Sequence, residues 1–220
     1  MAGYMTYWSK EQIHKLEKAQ DSGPICVIYG SHHSKMPSIN TVKVGDIIYP
    51  VTLSGGTLHV MARLPVERIE PAFDYLMREL GYRFGALVPK GILLVEKTPV
   101  CTLLVTDSQT DRCEAELPPD DGTLCRVFSD QAGILPHKAH QEPQTCCASL
   151  AASSAHGSMI TPRPLPPECL PLLRFGSSKS KEKPLRLDKD GKPSVVGLSA
   201  LRRMSEATWQ QFEALFADEI

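Results

Sequence analysis

Thr41 to Ile69 reads TVKVGDIIYPVTLSGGTLHVMARLPVERI, and this stretch decides the fold. Val44-Gly45-Asp46 supplies turn residues ahead of a β-branched and aromatic run, Ile47 to Leu53. Ser54-Gly55-Gly56 then predicts a hairpin, since glycine takes the left-handed backbone that a tight two-residue turn demands. Thr57 to Leu64 returns as the partner strand, and Val66 to Ile69 extends the sheet.

On the N-terminal side, Ser9 with Gln12 three residues on is a capping-box pattern. It predicts a short helix with Ile13, Leu16 and Ala19 on its apolar edge, ending before Ser22-Gly23-Pro24. Ile25 to Tyr29 is a short buried strand by its β-branched content, and Gly30 to Asn40 a polar loop. On the C-terminal side, Pro71 to Leu80 has proline at its start and Gly81 after its end, the punctuation of a helix. Gly91 to Thr106 holds two apolar runs that read as buried strands. Asp107 to Gly157 has no clear period; a loop-rich insertion and a short Ala-rich helix both fit it. Pro166 to Leu170 reads as a helical turn and Asp190-Gly191 as a further turn. Ser205 caps a last amphipathic helix whose Trp209, Phe212, Leu215 and Phe216 form one stripe of core character.

The 220 residues are 42% hydrophobic and 22% charged, which is globular composition with enough apolar surface for a core. Eighteen prolines favour a loop-rich α+β chain over a helical bundle. The expected architecture is a small β-barrel with flanking helices and a loop-rich second half ending in the amphipathic helix. It divides into a barrel domain at 1–105, an acidic, Cys- and His-containing insertion at 106–158, and a basic hairpin with C-terminal helix at 159–220.

Net charge is −1, so no global field draws the chain to nucleic acid or membrane. The charge is nevertheless uneven: Ile160 to Arg203 carries ten Lys or Arg against four Asp or Glu. Arg163, Arg174, Lys179, Lys181, Lys183, Arg186, Arg202 and Arg203 are therefore candidates to contact nucleic-acid phosphates, against the plainer reading of a solvated loop. The N-terminus lacks the basic and apolar regions of a signal peptide, and no stretch has the length of a membrane span. Seven cysteines, an odd number without secretory context, argue for reduced thiols and a cytoplasmic protein.

Cys113, Cys125, His137 and His140 (with Cys146-Cys147 nearby) are candidate metal ligands, but only His137 and His140 have suitable spacing. The expectation is no metal and no cofactor. Cys26 and Cys101 read as small core hydrophobes. No Walker loop, dinucleotide fingerprint, Gly-x-Ser-x-Gly elbow or His-Glu-x-x-His helix is present, which disfavours those enzyme classes.

Val42, Gly45, Asp46, Ile48 and Tyr49, with the hairpin that follows, resemble the PUA-like barrel superfamily, the group of ASCH, EVE and YTH domains. The resemblance runs from the N-terminal helix to Ile69 and no further. It implies a closed barrel in which the loop before the hairpin helps line a nucleobase pocket. In such a pocket Trp8, Tyr29 or Tyr49 would stack on the base, and His32, His33, Lys35 and Asn40 would reach its edge. The alternative for these residues is a solvated loop and core aromatics. ASCH-type amidohydrolases use a Lys, a Thr and a Glu. Lys35 and Ser38 stand where those enzymes have Lys-x-x-Thr, with serine for threonine and Pro37 between. Glu67, just after the second barrel strand, is an acidic candidate that is not uniquely placed. The leading expectation is non-catalytic recognition of a nucleobase, nucleotide or nucleic acid, including a modified base, in a bacterial or phage setting. An ASCH-type hydrolase or nuclease is the first alternative. An inhibitor or immunity protein that binds another protein, with the barrel as scaffold, is the second.

Overall fold

The computed structural model describes residues 1–31, 39–71, 75, 92–97, 101–107, 110–116, 149–198 and 201–217. Its centre is a six-stranded sheet. β1 (Gly3–Tyr7) lies parallel to β3 (Ile47–Ser54), so that Tyr4 faces Ile48 and Met5 faces Tyr49 across the pair. The other edge of β3 is shared. Its second half pairs with β4 (Thr57–Val60) and its first two residues with β5 (Leu64–Pro65). β11 (Arg163–Pro164) closes the β4 side, and β14 (Arg202–Arg203) closes the β1 side.

The β3–β4 turn is the one the glycines demand: Ser54 faces Thr57, and Gly55 and Gly56 sit at φ +58° and +82°. Pro50 stands in the middle of a central strand, where a missing N–H normally breaks the ladder. Here it falls between the β4 and β5 pairings, opposite Met61 to Arg63, and its carbonyl still accepts from the Met61 N–H at 2.8 Å.

Both faces of this sheet are buried. Met5, Ile47, Tyr49 and Val51 pack on one side against Leu170, Phe175, Phe212 and Phe216 from the C-terminal segment. That segment includes α3 (Glu206–Ala214), and Ser205 caps it by accepting the Thr208 N–H. Tyr4, Trp8, Ile48 and Leu64 pack on the opposite side against Leu16 and Ile28. Leu16 belongs to α1 (Lys10–Ala19), which Ser9 caps through the Gln12 N–H at 3.1 Å. Ile28 belongs to β2 (Val27–Ser31), an outer strand of a second, antiparallel sheet in the order β2, β10 (Ser149–Ser153), β6 (Arg68–Pro71). β7 (Ile92–Lys97), β8 (Cys101–Asp107) and β9 (Thr110–Glu116) form a separate antiparallel meander. A two-stranded ribbon joins β12 (Arg174–Phe175) to β13 (Lys183–Pro184).

Asp46 fastens the entry to this arrangement. Its buried carboxylate accepts the Ala2 N–H at 2.8 Å and the Lys43 N–H at 2.9 Å. Its backbone C=O accepts from Val66 at 2.7 Å, while the Val66 C=O accepts from Gly45, whose φ of +91° suits glycine. One Gly-Asp pair thereby ties the start of β1, the start of β3 and the crossing from β5 to β6.

The chain is α+β, as expected, but the described strands make four separate sheets and none of these closes into a barrel. Trp8 to Leu16 and the second sheet cover a face that a closed barrel would hold inside. Ser149 to Ser153, placed by sequence in an insertion, is the middle strand of the second sheet. Its Ala-Ala pair has low strand propensity, and full burial of Ala151 and Ala152 overrides it. β1 was not foreseen, because its GYMTY carries no alternation: both faces are covered. Cys26 is half-buried and packs against the core cluster of Val27, Tyr29, Tyr75 and Ala151. Of the expected helix at 71–80, only Pro71, which ends β6, and Tyr75 lie within the described residues. No helix among the described residues is long and apolar enough to cross a membrane.

Asp46→Ala is expected to lower stability by about 1–3 kcal/mol, since two amide donors lose their acceptor. Urea unfolding checks it, with Val44→Ala as the control: Val44 is 64% exposed and its loss should cost no more than about 0.5 kcal/mol.

Candidate functional site

Arg202 and Arg203 form β14 at the edge of the central sheet, with Arg203 opposite Tyr4 and Arg202 opposite Met5. The next residue, Met204, bridges to Phe175, and the Arg203 C=O accepts from the Gly176 N–H at 2.9 Å. The β12–β13 ribbon is therefore sewn to this edge. Gly176 is needed there: a Cβ would lie 2.6 Å from the Lys181 carbonyl oxygen and 2.9 Å from the Glu182 Cα. Phe175 and Leu185 bury themselves in the core on the α3 side, which fixes Lys183 and Arg186 beside them. α2 (Val195–Leu198) completes the surroundings, anchored by the fully buried Leu198.

These elements border an open cavity of about 480 Å³ lined by Phe175, Gly176, Lys183, Pro184, Arg186, Val196, Arg202 and Arg203. Four of the eight lining residues are cationic and none is acidic. Among the described residues, no carboxylate comes within ion-pairing distance of Lys183, Arg186, Arg202 or Arg203. Burial, with the nearby Arg186 charge adding to it, lowers the Arg202 guanidinium from its ordinary value. Its Cζ stands 5.6 Å from the centre of the Phe175 ring, within cation–π range. Like charges held together with no internal counter-ion make an anion-attracting concavity.

Two of the cations chosen from sequence as phosphate contacts within 163–186, Lys183 and Arg186, line this cavity, and so do Arg202 and Arg203. Arg163 does not. It sits on β11, at the far edge of the sheet, where its guanidinium stacks 4.2 Å over Phe216 and donates to the Thr161 C=O. Arg174 is turned back onto the Pro171 and Leu173 carbonyls, closing the 3-10 turn Pro167–Leu172. Lys181 is exposed, and the side chain of Lys179 lies outside the described residues.

The expected stacking aromatics are not brought together. Trp8 lies between the two sheets, Tyr49 on the opposite face of the central sheet, and Tyr29 in a third cluster with Tyr75. Each is at most 1% exposed, so no shared base could lie against them. Asn40 is exposed; His32, His33, Lys35 and Ser38 lie outside the described residues. Of the candidate metal ligands, Cys125, His137 and His140 lie outside them too, as does the side chain of Cys113. No group of three metal-ligating side chains occurs among the described residues.

Glu67 is engaged elsewhere. Its carboxylate accepts the Ala155 N–H at 2.7 Å and pairs with His156 Nδ1. The Ala155 N–H first, then the His156 and Ser154 hydrogen bonds, hold this carboxyl below the ordinary glutamate range. Glu67 lies at the Val27 end of the second sheet, four residues or roughly 13 Å along β2 from Ser31. What the structure shows for Glu67 is a brace on the turn after β10.

A second polar cluster was not anticipated. Trp209 Nε1 donates to the Tyr49 hydroxyl at 2.9 Å, and that hydroxyl donates to Glu213 Oε1. Arg63 Nε donates to the same oxygen at 2.8 Å. Burial raises the Glu213 carboxyl and lowers the Arg63 guanidinium, and their pairing opposes both shifts. Because Tyr49 is fully buried and Trp209 and Glu213 are one turn apart on α3, the cluster clamps that helix to β3.

The Glu67 brace predicts an acid-sensitive contribution to stability. Its folded-state pKa is depressed, so the contribution is present above the unfolded-chain value and disappears as pH falls through the folded one. In urea melts, the gap between wild type and Glu67→Gln should be full at neutral pH and close in acid. A gap that does not change with pH would contradict the brace.

Comparison of the chain with protein-family models, with curated proteins and with solved structures finds no match.

Proposed function

We propose that the protein binds the phosphate groups of a nucleotide or nucleic acid, without catalysis, at the cavity between β14 and the β12–β13 ribbon. One observation carries this reading: four cations converge there on one concavity with no acidic neighbour in its lining. Phosphate is the anion that such a cluster suits, since arginine offers paired N–H donors and lysine a mobile point charge. The frame is preformed, because Phe175, Leu185 and Leu198 are core residues that hold the cationic positions without a ligand.

Kinship with PUA-like barrels remains a proposal, supported by the Gly45-Asp46 turn and the glycine hairpin. A base held between Trp8, Tyr29 and Tyr49 is not part of this reading, for the reason of their separate burial. The cavity would serve the backbone or the phosphate end of the ligand.

Binding of a labelled single-stranded oligonucleotide across a salt series tests it. Each lost phosphate contact should flatten the plot of log K against log salt by about 0.7 on a single strand. Lys183→Ala with Arg186→Ala should therefore reduce the slope by about 1.4, while Arg163→Ala leaves it unchanged. An unchanged slope in the double variant would overturn the proposal, and so would a wild type that binds neither this oligonucleotide nor a nucleoside triphosphate.

A further inference from the structure

Resting on that reading, the dimensions and charge of the cavity point further, to the kind of phosphate it takes. We infer that its ligand presents two or three phosphates linked in a terminal chain, attached to a group with an apolar face. This is the chemistry of a nucleoside di- or triphosphate, and equally of the 5′-triphosphate end of an RNA.

Three observations converge. The first is charge density. A sphere of 480 Å³ is about 10 Å across, and four cationic side chains line that space. A single phosphate monoester carries about −1.5 to −2 charges at pH 7 and would leave roughly half of the cluster uncompensated. A diester backbone brings one charge per phosphate and spreads them along the strand. A chain of linked phosphates places three or four negative charges within so short a span.

The second is the way the cations are presented. Arg202 and Arg203 are successive residues of one edge strand, and Lys183 stands opposite Phe175 on the ribbon. Arg186 follows on the far side of the buried Leu185. The charges thus come from two elements, β14 and the ribbon joined to it, which gather them within one short span, as suits a compact chain of phosphates. Arg202 is also held at the Phe175 ring, so its position is set before a ligand arrives.

The third is the apolar lip. Val196 lines the same cavity and is 80% exposed, beside Val195, which is 50% exposed, and Pro184 is exposed as well. A four-residue helix that leaves two valines in water next to a cationic cluster gives a nucleobase or ribose an apolar surface while the phosphates reach inward.

Calorimetric titration of the full chain at fixed ionic strength separates the outcomes, with orthophosphate, tripolyphosphate, a nucleoside triphosphate, and oligoribonucleotides ending in 5′-hydroxyl or 5′-triphosphate. Tripolyphosphate should bind at least about tenfold more tightly than orthophosphate. Arg186→Gln should remove most of that difference, and circular dichroism should show that the variant is folded. Val196→Ser should weaken the nucleoside triphosphate several-fold and leave tripolyphosphate unchanged. If the 5′-triphosphate RNA exceeds the free nucleotide, the source is an RNA end; the reverse order makes it the free nucleotide. Equal binding of orthophosphate and tripolyphosphate would overturn this inference. So would 5′-hydroxyl RNA that binds as tightly as tripolyphosphate, although phosphate recognition itself would then stand. If no phosphate compound binds, both readings fall together.

Discussion

The carboxylate of Asp46 is the constraint on which the rest of the molecule turns. Buried and accepting two amide N–H groups, it sets the register in which β1 meets β3. A charged acceptor paired this way is among the stronger single hydrogen-bonding arrangements in a protein, and leaving its donors bare would be costly. The register it sets decides which side chains face which core. With Tyr4 and Ile48 on one side and Met5, Ile47 and Tyr49 on the other, each face of the sheet receives its own covering layer.

From that register the basic cavity follows. β14 pairs with Tyr4 and Met5, the two residues that the Asp46 anchor places, and β14 carries Arg202 and Arg203. The ribbon bearing Lys183 is then hung on β14 through Met204 and the Gly176 N–H. The Tyr49, Trp209, Arg63 and Glu213 cluster fastens α3 to the same face, and Arg174 is tied to α3 by its N–H to Thr208 Oγ1 at 2.8 Å. Clustered positive charge is self-repelling, so the frame under it has to be rigid enough to hold the charges together without a ligand. Here that frame includes the buried Phe175, Leu185 and Leu198.

Local chemistry was the legible part of the sequence. The glycine turn, the Ser9 and Ser205 caps, the Asp190-Gly191 turn and the aromatic stripe of α3 all depend on a few neighbouring residues, and all are present. Strands covered on both faces were harder, because β1 shows no alternation and β10 is built of small residues that also suit a helix or loop. The closed barrel was expected from a resemblance carried by the Gly45-Asp46 turn and the hairpin, and neither says what lies beyond the outer edge of the hairpin. Of the site, the cationic composition of 160–203 was readable, but its geometry was not. Arg163 and Lys183 look alike in sequence; only the strand order puts Arg163 at one edge of the central sheet and Lys183 on the ribbon joined to the other. Phe175 and Val196 carried no signal as cavity residues, since one reads as core and the other as a short apolar turn.

The most direct measurement is a nuclear magnetic resonance titration of the full chain with a nucleoside triphosphate, following backbone amides and arginine Nε–H groups together. The account predicts saturable shifts centred on residues 174–176, 183–186, 196 and 202–203, with the Arg163 resonance unmoved. Shifts centred instead on 31–40 and the β3–β4 hairpin, or no saturable shift anywhere, would contradict it.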